Sequence, residues 1–159
     1  AVRKALHLDD HFGSGNKKGR GCVPGAKIEK LPTKFKASQR WIANKKLGGP
    51  NGIVAGDAGA VWVVTFGTGE LYRVNAKGKQ QPGEKLPKGQ LDGIVKLDGG
   101  ELLVTSWEGS AIYRGKPGGE WKPVVENVKS PADIGYDSKR KRILIPVFHG
   151  NTVILQPQQ

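Results

Sequence analysis

The stretch Val63-Val64-Thr65-Phe66-Gly67-Thr68-Gly69-Glu70-Leu71-Tyr72-Arg73 decides the fold, because the chain spells it three times. It returns as Val104-Thr105-Ser106-Trp107-Glu108-Gly109-Ser110-Ala111-Ile112-Tyr113-Arg114. It returns again as Ile145-Pro146-Val147-Phe148-His149-Gly150-Asn151-Thr152-Val153-Ile154-Leu155, and both steps are 41 residues. Each copy reads as a strand ending in an aromatic residue, a tight loop and a second strand. The lead-in repeats too: Pro50-Asn51-Gly52-Ile53, Leu91-Asp92-Gly93-Ile94 and Pro131-Ala132-Asp133-Ile134, at steps of 41 and 40. A period near 41 with several short strands per unit is the pattern of a β-propeller blade. Helical repeats of that length need a 3.6-residue apolar period, and the runs 60–66 and 101–107 are instead strand-like.

Working outward, the period divides residues 38–159 into three blades, about 50–90, 91–130 and 131–159. The expected strands are 51–55, 60–66, 69–74 and 80–87; then 92–97, 101–107, 110–115 and 120–126; then 133–136, 142–148 and 151–156. The third blade lacks an outer strand. Residues 39–44, Gln39-Arg40-Trp41-Ile42-Ala43-Asn44, lie where a spare outer strand belongs. An open sheet edge invites pairing, and propellers close as rings of ~4–8 blades. The fold expected is therefore all-β, half of a six-bladed propeller. A homodimer would close the ring, with the outer strand of the last blade supplied by residues near 39–44; the other possibility is half of a longer chain.

Composition agrees. The chain has 159 residues with 24 Gly and 10 Pro, about one residue in five against ~12% in ordinary chains, which favours turns over long helices. Mean hydropathy is −0.46 and no apolar run reaches the ~18 residues of a membrane-spanning helix, so no membrane partner is expected. Lys and Arg total 26 against 14 Asp and Glu, a net charge of +12. Residues 1–49 hold 12 of those cations and 3 acids, so +9 sits there and only +3 on the remainder. Residues 1–37 form a basic, Gly-rich segment without clear period. The chain begins at Ala1 and contains no Met, which fits either a cleaved leader or a fragment, and a secreted or periplasmic location is expected. One cysteine, Cys22, names no compartment.

Several motifs carry the reading further: Leu47-Gly48-Gly49-Pro50-Asn51-Gly52-Ile53, Gly67-Thr68-Gly69-Glu70-Leu71-Tyr72-Arg73, Gly89-Gln90-Leu91-Asp92-Gly93 and Ser130-Pro131-Ala132-Asp133-Ile134-Gly135-Tyr136-Asp137. They resemble the last three blades of the six-bladed family of senescence marker protein, gluconolactonase and luciferin-regenerating enzyme, over roughly residues 39–157. The resemblance implies a divalent cation in the channel, Ca²⁺ first with Zn²⁺ or Mn²⁺ as alternatives. It implies Asn51 and Asp92 as ligands, and Asp92 as the catalytic general base acting on a small lactone or ester. A hard cation takes oxygen ligands and polarises a carbonyl, and a neighbouring carboxylate accepts a proton from water. The family's acidic ligand from its first blade has no counterpart here. A dimer would restore four oxygens from two copies of Asn51 and Asp92, and Asp133, at nearly the same repeat position, would add a carboxylate per chain. Read as residues alone, Asn-Gly and Asp-Gly are also ordinary turn dipeptides.

Other constellations are weaker. His7, His11 and Cys22 lack an evident fourth zinc ligand. The Gly-rich run 13–21 has no strand before it or helix after it, as a phosphate loop needs. The cations from Lys27 to Lys46, with Phe35 and Trp41 among them, suit a nucleic acid or another polyanion. His149 reads as a rim residue, and Trp62, Trp107 and Trp121 read as core between blades. Three functions follow. The first is metal-dependent hydrolysis of a small ester or sugar lactone. The second is a non-catalytic propeller scaffold, and the third is polyanion binding by the basic arm.

Overall fold

Val, Leu, Ile and Tyr alternating with small or polar residues build eleven strands among residues 41–158, the part described by the computed structural model. The first sheet runs β1 (Pro50–Ala55), β2 (Val61–Thr65), β3 (Glu70–Val74) and β4 (Glu84–Lys85), in that order. The second runs β5 (Leu91–Lys96), β6 (Leu102–Ser106), β7 (Ala111–Gly115) and β8 (Trp121–Val125). The third has β9 (Gly135–Asp137), β10 (Arg142–Val147) and β11 (Thr152–Pro157). All neighbouring strands are antiparallel. The architecture is all-β, three propeller blades with the last one short of an outer strand. No helix among the described residues is long and apolar enough to cross a membrane.

The repeat is visible in the turns. The hairpins β2–β3, β6–β7 and β10–β11 each place a left-handed residue at the same position: Gly69 at φ 65°, Ser110 at 47° and Asn151 at 48°. Glycine takes that conformation freely, and asparagine is the side-chain-bearing residue that tolerates it best. Buried hydroxyls are satisfied locally. Thr65 Oγ1 accepts from the Glu70 N–H at 2.8 Å, and Thr105 Oγ1 accepts from the Gly93 N–H at 2.6 Å.

Two seams hold the blades together. In the first, Val64, Leu71 and Leu86 meet Leu91, Ile94, Val104, Tyr113 and Trp121. In the second, Leu103 and Ile112 meet Ile134, Ile143 and Ile145. Each fully buried aliphatic side chain stabilises by about 1.5–3 kcal/mol. An ion pair between Lys96 and Asp57 at 2.8 Å also spans the first seam. In the third blade Asp137 accepts from Arg140 and Arg142 at 3.1 and 3.0 Å, which lowers its pKa to about 2.

The two ends differ from the seams. Ile53, the repeat equivalent of Ile94 (4% exposed) and Ile134 (6%), is 62% exposed. Val153, equivalent to the fully buried Ile112, is 66% exposed, and Leu155 beside it is also exposed. At the first end Val63, Tyr72 and Val74 stay covered because Ile42 and Leu47 pack over them, and the Tyr72 hydroxyl donates to the Leu47 carbonyl at 3.1 Å.

Within one chain the expected spare strand has no third strand of another copy to join. Residues 41–44 have no strand pairing and lie against blade one, where an apolar face is available; Gln39 and Arg40 lie outside the described residues. Other differences are of extent. The outer strand expected at 80–87 shrinks to Glu84–Lys85 plus a bridge from Gln80 to Val74, since Pro82 and Pro87 donate nothing to a ladder. The inner strand expected at 133–136 is Gly135–Asp137.

Candidate active site at the blade rim

Each inner strand carries the same irregularity. Pro50 pairs with Thr65 and Ile53 with Val63, so three steps on β1 face two on β2. Leu91 pairs with Ser106 and Ile94 with Val104, again three against two. In the third blade Pro131 bridges Val147 and the ladder resumes at Gly135 with Leu144, four against three. Every blade therefore bulges by one residue, at Asn51-Gly52, at Asp92-Gly93 and at 132–134. A bulge leaves a residue out of the ladder and re-aims its side chain. The glycines follow from close packing of successive inner strands. A Cβ on Gly93 would stand 2.5 Å from the Ile134 nitrogen and 2.7 Å from Asp133 Cα, and one on Gly52 would collide with the Asp92 carbonyl. Asn-Gly and Asp-Gly here are bulge dipeptides at a blade seam rather than reversing turns.

Asn51, Asp92 and Asp133 thus lie at one rim, where the three inner strands begin. Asn51 and Asp133 are exposed and Asp92 is half-buried. Partial burial raises the Asp92 pKa, and the negative charge of Asp133 raises it further. The Asn51 amide and the Trp107 indole oppose this. The Trp107 Nε1 is buried, within reach of Asp92, and closes no hydrogen bond of good geometry. The sequence-predicted residues are therefore neighbours: Asp92 senses both Asn51 and Asp133.

The same rim carries a wall of rings. Phe66, Trp107 and Phe148 occupy one repeat position. Their backbone N–H groups donate to the carbonyls of Gly49, Gln90 and Ser130 at 2.9, 3.0 and 3.0 Å, just before each bulge. Phe66 and Trp107 meet edge to face with centroids 5.4 Å apart, and Trp107 and Phe148 are 5.5 Å apart. His149 completes the group, 5.6 Å from Trp107 and 5.1 Å from Phe148. His149 is a rim residue as expected, and Trp121 is core. Trp107 corrects the sequence reading. It falls one residue past the end of β6, belongs to neither seam cluster, and faces the rim. Aromatic residues recurring at 66, 107 and 148 were the available signal.

The donors suit a hard cation in kind: two carboxylates and an amide oxygen. They are few for one chain, and among the described residues no group of three or more His, Cys, Asp or Glu side chains gathers as a metal centre. A separate cleft lined by Leu97, Asp98, Arg114, Tyr136, Lys141 and Gln158 opens at the opposite ends of the strands. Arg114 there is tied to Glu101 at 2.6 Å. His7, His11, Cys22, the run 13–21 and the basic arm up to Arg40 lie outside the described residues.

No protein-family model matches the sequence, and no curated protein matches it. Solved structures do resemble it. Virginiamycin B lyase from Staphylococcus aureus, as an inactive variant with quinupristin, aligns at 23% identity and TM-score 0.58, over 70% of this chain and 39% of that one. A provisionally assigned gluconolactonase aligns at 21% identity and TM-score 0.55, over 72% and 46%. A nidogen/laminin complex aligns at 15% identity and TM-score 0.53, over 67% and 47%. The chain spans less than half the length of these proteins. At such identities the likeness shows the fold, a β-propeller of which this chain is about half.

Proposed function

We propose that the chain is the site-bearing half of a metal-dependent hydrolase acting on a small ester or lactone, of the gluconolactonase and senescence marker protein type. One observation carries the reading: three successive bulges bring Asn51, Asp92 and Asp133 to the same rim, with Asp92 sensing both neighbours. These three residues would hold a divalent cation, Ca²⁺ first, Zn²⁺ or Mn²⁺ otherwise. When bound, such a cation polarises the carbonyl of the substrate. Asp92 accepts a proton from the attacking water. The water oxygen bonds to the carbonyl carbon, the ester C–O bond breaks, and the proton passes to the leaving alkoxide. The Asn51 amide and the Trp107 N–H beside Asp92 favour its charged form.

We further propose that a second copy closes the ring. Ile53 at one end and Val153 and Leu155 at the other are exposed where their internal equivalents are buried, so each end is built to receive a blade. Two copies would bring six oxygen-bearing side chains to one channel, within the six to eight oxygens that Ca²⁺ takes.

The test is hydrolysis of a lactone and a small ester, followed by acid release, with Ca²⁺, Zn²⁺ or Mn²⁺ added in turn. Asp92→Asn is expected to abolish turnover with the circular dichroism spectrum unchanged. Turnover surviving in Asp92→Asn would refute the assignment. Absence of turnover in the parent with every metal would leave a scaffold as the better reading. Light scattering is expected to give twice 17.1 kDa.

A further inference from the structure

We infer, resting on the hydrolase reading above, that the substrate presents an apolar ring, as an aryl lactone or aryl ester does, rather than the polyhydroxylated ring of a sugar lactone. Two independent observations support this. The first is the ring wall itself. Phe66, Trp107, Phe148 and His149 stand in edge-to-face or tilted contact along the rim that carries Asp92, and Phe148 is 62% exposed. Ring faces and edges offered to solvent bind another ring by burial and by quadrupole contact.

The second is what the rim's polar groups are already doing. A polyol is recognised through free donors and acceptors, because each of its hydroxyls gives up water on binding. In the hairpins of the first two blades, Thr65, Thr68, Ser106 and Glu108 are engaged within the chain. Thr68 Oγ1 donates to Glu70 at 2.8 Å and lies 2.9 Å from Thr65 Oγ1. Ser106 Oγ donates to the Gly89 carbonyl at 2.7 Å and accepts from the Gly109 N–H at 2.9 Å. Glu108 accepts from the Gly89 N–H at 2.6 Å. These groups brace the hairpins, and the four rings stand beside them as one apolar surface. The wall repeats at the blade period, so a ligand ring at the mouth meets a side chain from each blade and lies against the bulge carrying Asp92.

The experiment compares dihydrocoumarin, an aryl lactone, with glucono-δ-lactone in the metal-supplemented parent chain and in Phe148→Ala, Phe148→Leu and Trp107→Ala. Binding of dihydroquinolin-2-one, the non-hydrolysed lactam analogue, is followed by NMR in parallel. The parent is expected to favour dihydrocoumarin in kcat/KM by about tenfold or more. The ratio of the two kcat/KM values is expected to fall in Phe148→Ala through KM, recover partly in Phe148→Leu, and fall furthest in Trp107→Ala. Lactam affinity is expected to follow the same order. A parent that favours gluconolactone, or a lactam affinity unchanged by Phe148→Ala and Trp107→Ala, overturns the inference. Lactam binding that needs both rings, in a chain that turns over neither lactone, upholds the ring site and refutes the hydrolase reading instead.

Discussion

The seams between blades and the two ends of the half-ring are made from the same repeat positions, yet one set is dry and the other meets water. Ile94 and Ile134 are buried where Ile53 is exposed, and Ile112 is fully buried where Val153 is not. The residue types barely change from blade to blade; the neighbour does. A blade is thus half an interface on each face, and its apolar residues stabilise only when the next blade covers them.

The largest effects fall on the seams. Ile112→Ala is expected to cost about 2–5 kcal/mol in urea unfolding, because the cavity has no way to collapse between two sheets. Its equivalent Val153→Ala is expected to change stability by less than about 0.5 kcal/mol in dilute solution. Equal losses for the two would break the comparison. Next is Gly93→Ala, where the new methyl meets backbone of the neighbouring inner strand; about 1–3 kcal/mol should be lost by the same assay. The ends come third. Val153→Asp with Leu155→Asp should leave the far-ultraviolet spectrum intact while lowering the mass from two chains to one. A mass unaffected by the pair would separate the ends from any self-association. Smallest is a surface effect within blade three. Asp137 is held below its ordinary value of 3.8, to about 2, by Arg142 and Arg140. Its contribution is present above pH 3.8 and lost as pH falls toward 2. Acid titration of Asp137→Asn should therefore show a shallower stability loss across that window than the parent, and identical slopes would sink the assignment.

How much of this was legible in the chain depends on range. The blade count, the strand order and ten of the eleven strand positions follow from the 41-residue step, since β-strands advertise themselves by alternation within a few residues. The eleventh, β9, is displaced because the bulge at 132–134 takes the residues that alternation assigned to it. The same bulge explains why Asn51 and Asp92 were ambiguous. A bulge is defined by its partner strand, which no local reading of Asn-Gly or Asp-Gly contains. Trp107 ends an alternating run, which predicts core, but the ladder stops at Ser106 and the next residue belongs to the rim. The spare strand near 39–44 is a matter of range as well, since the strand it would pair with belongs to a second copy. An outer strand exists only beside a third strand of another blade, and in one chain the nearer attraction is the uncovered face of Val63, Tyr72 and Val74.

The bulge has a consequence for how such a channel changes over time. A residue outside the ladder owes little to the cross-strand pairs that keep its sheet in register, so its side chain is free to be exchanged while the blade around it stays put. Positions 51, 92 and 133 are therefore the places where a new ligand set or a new chemistry can be written at small cost in folding. The glycines at 52 and 93, where an added Cβ would meet neighbouring backbone, are the ones that cannot be rewritten.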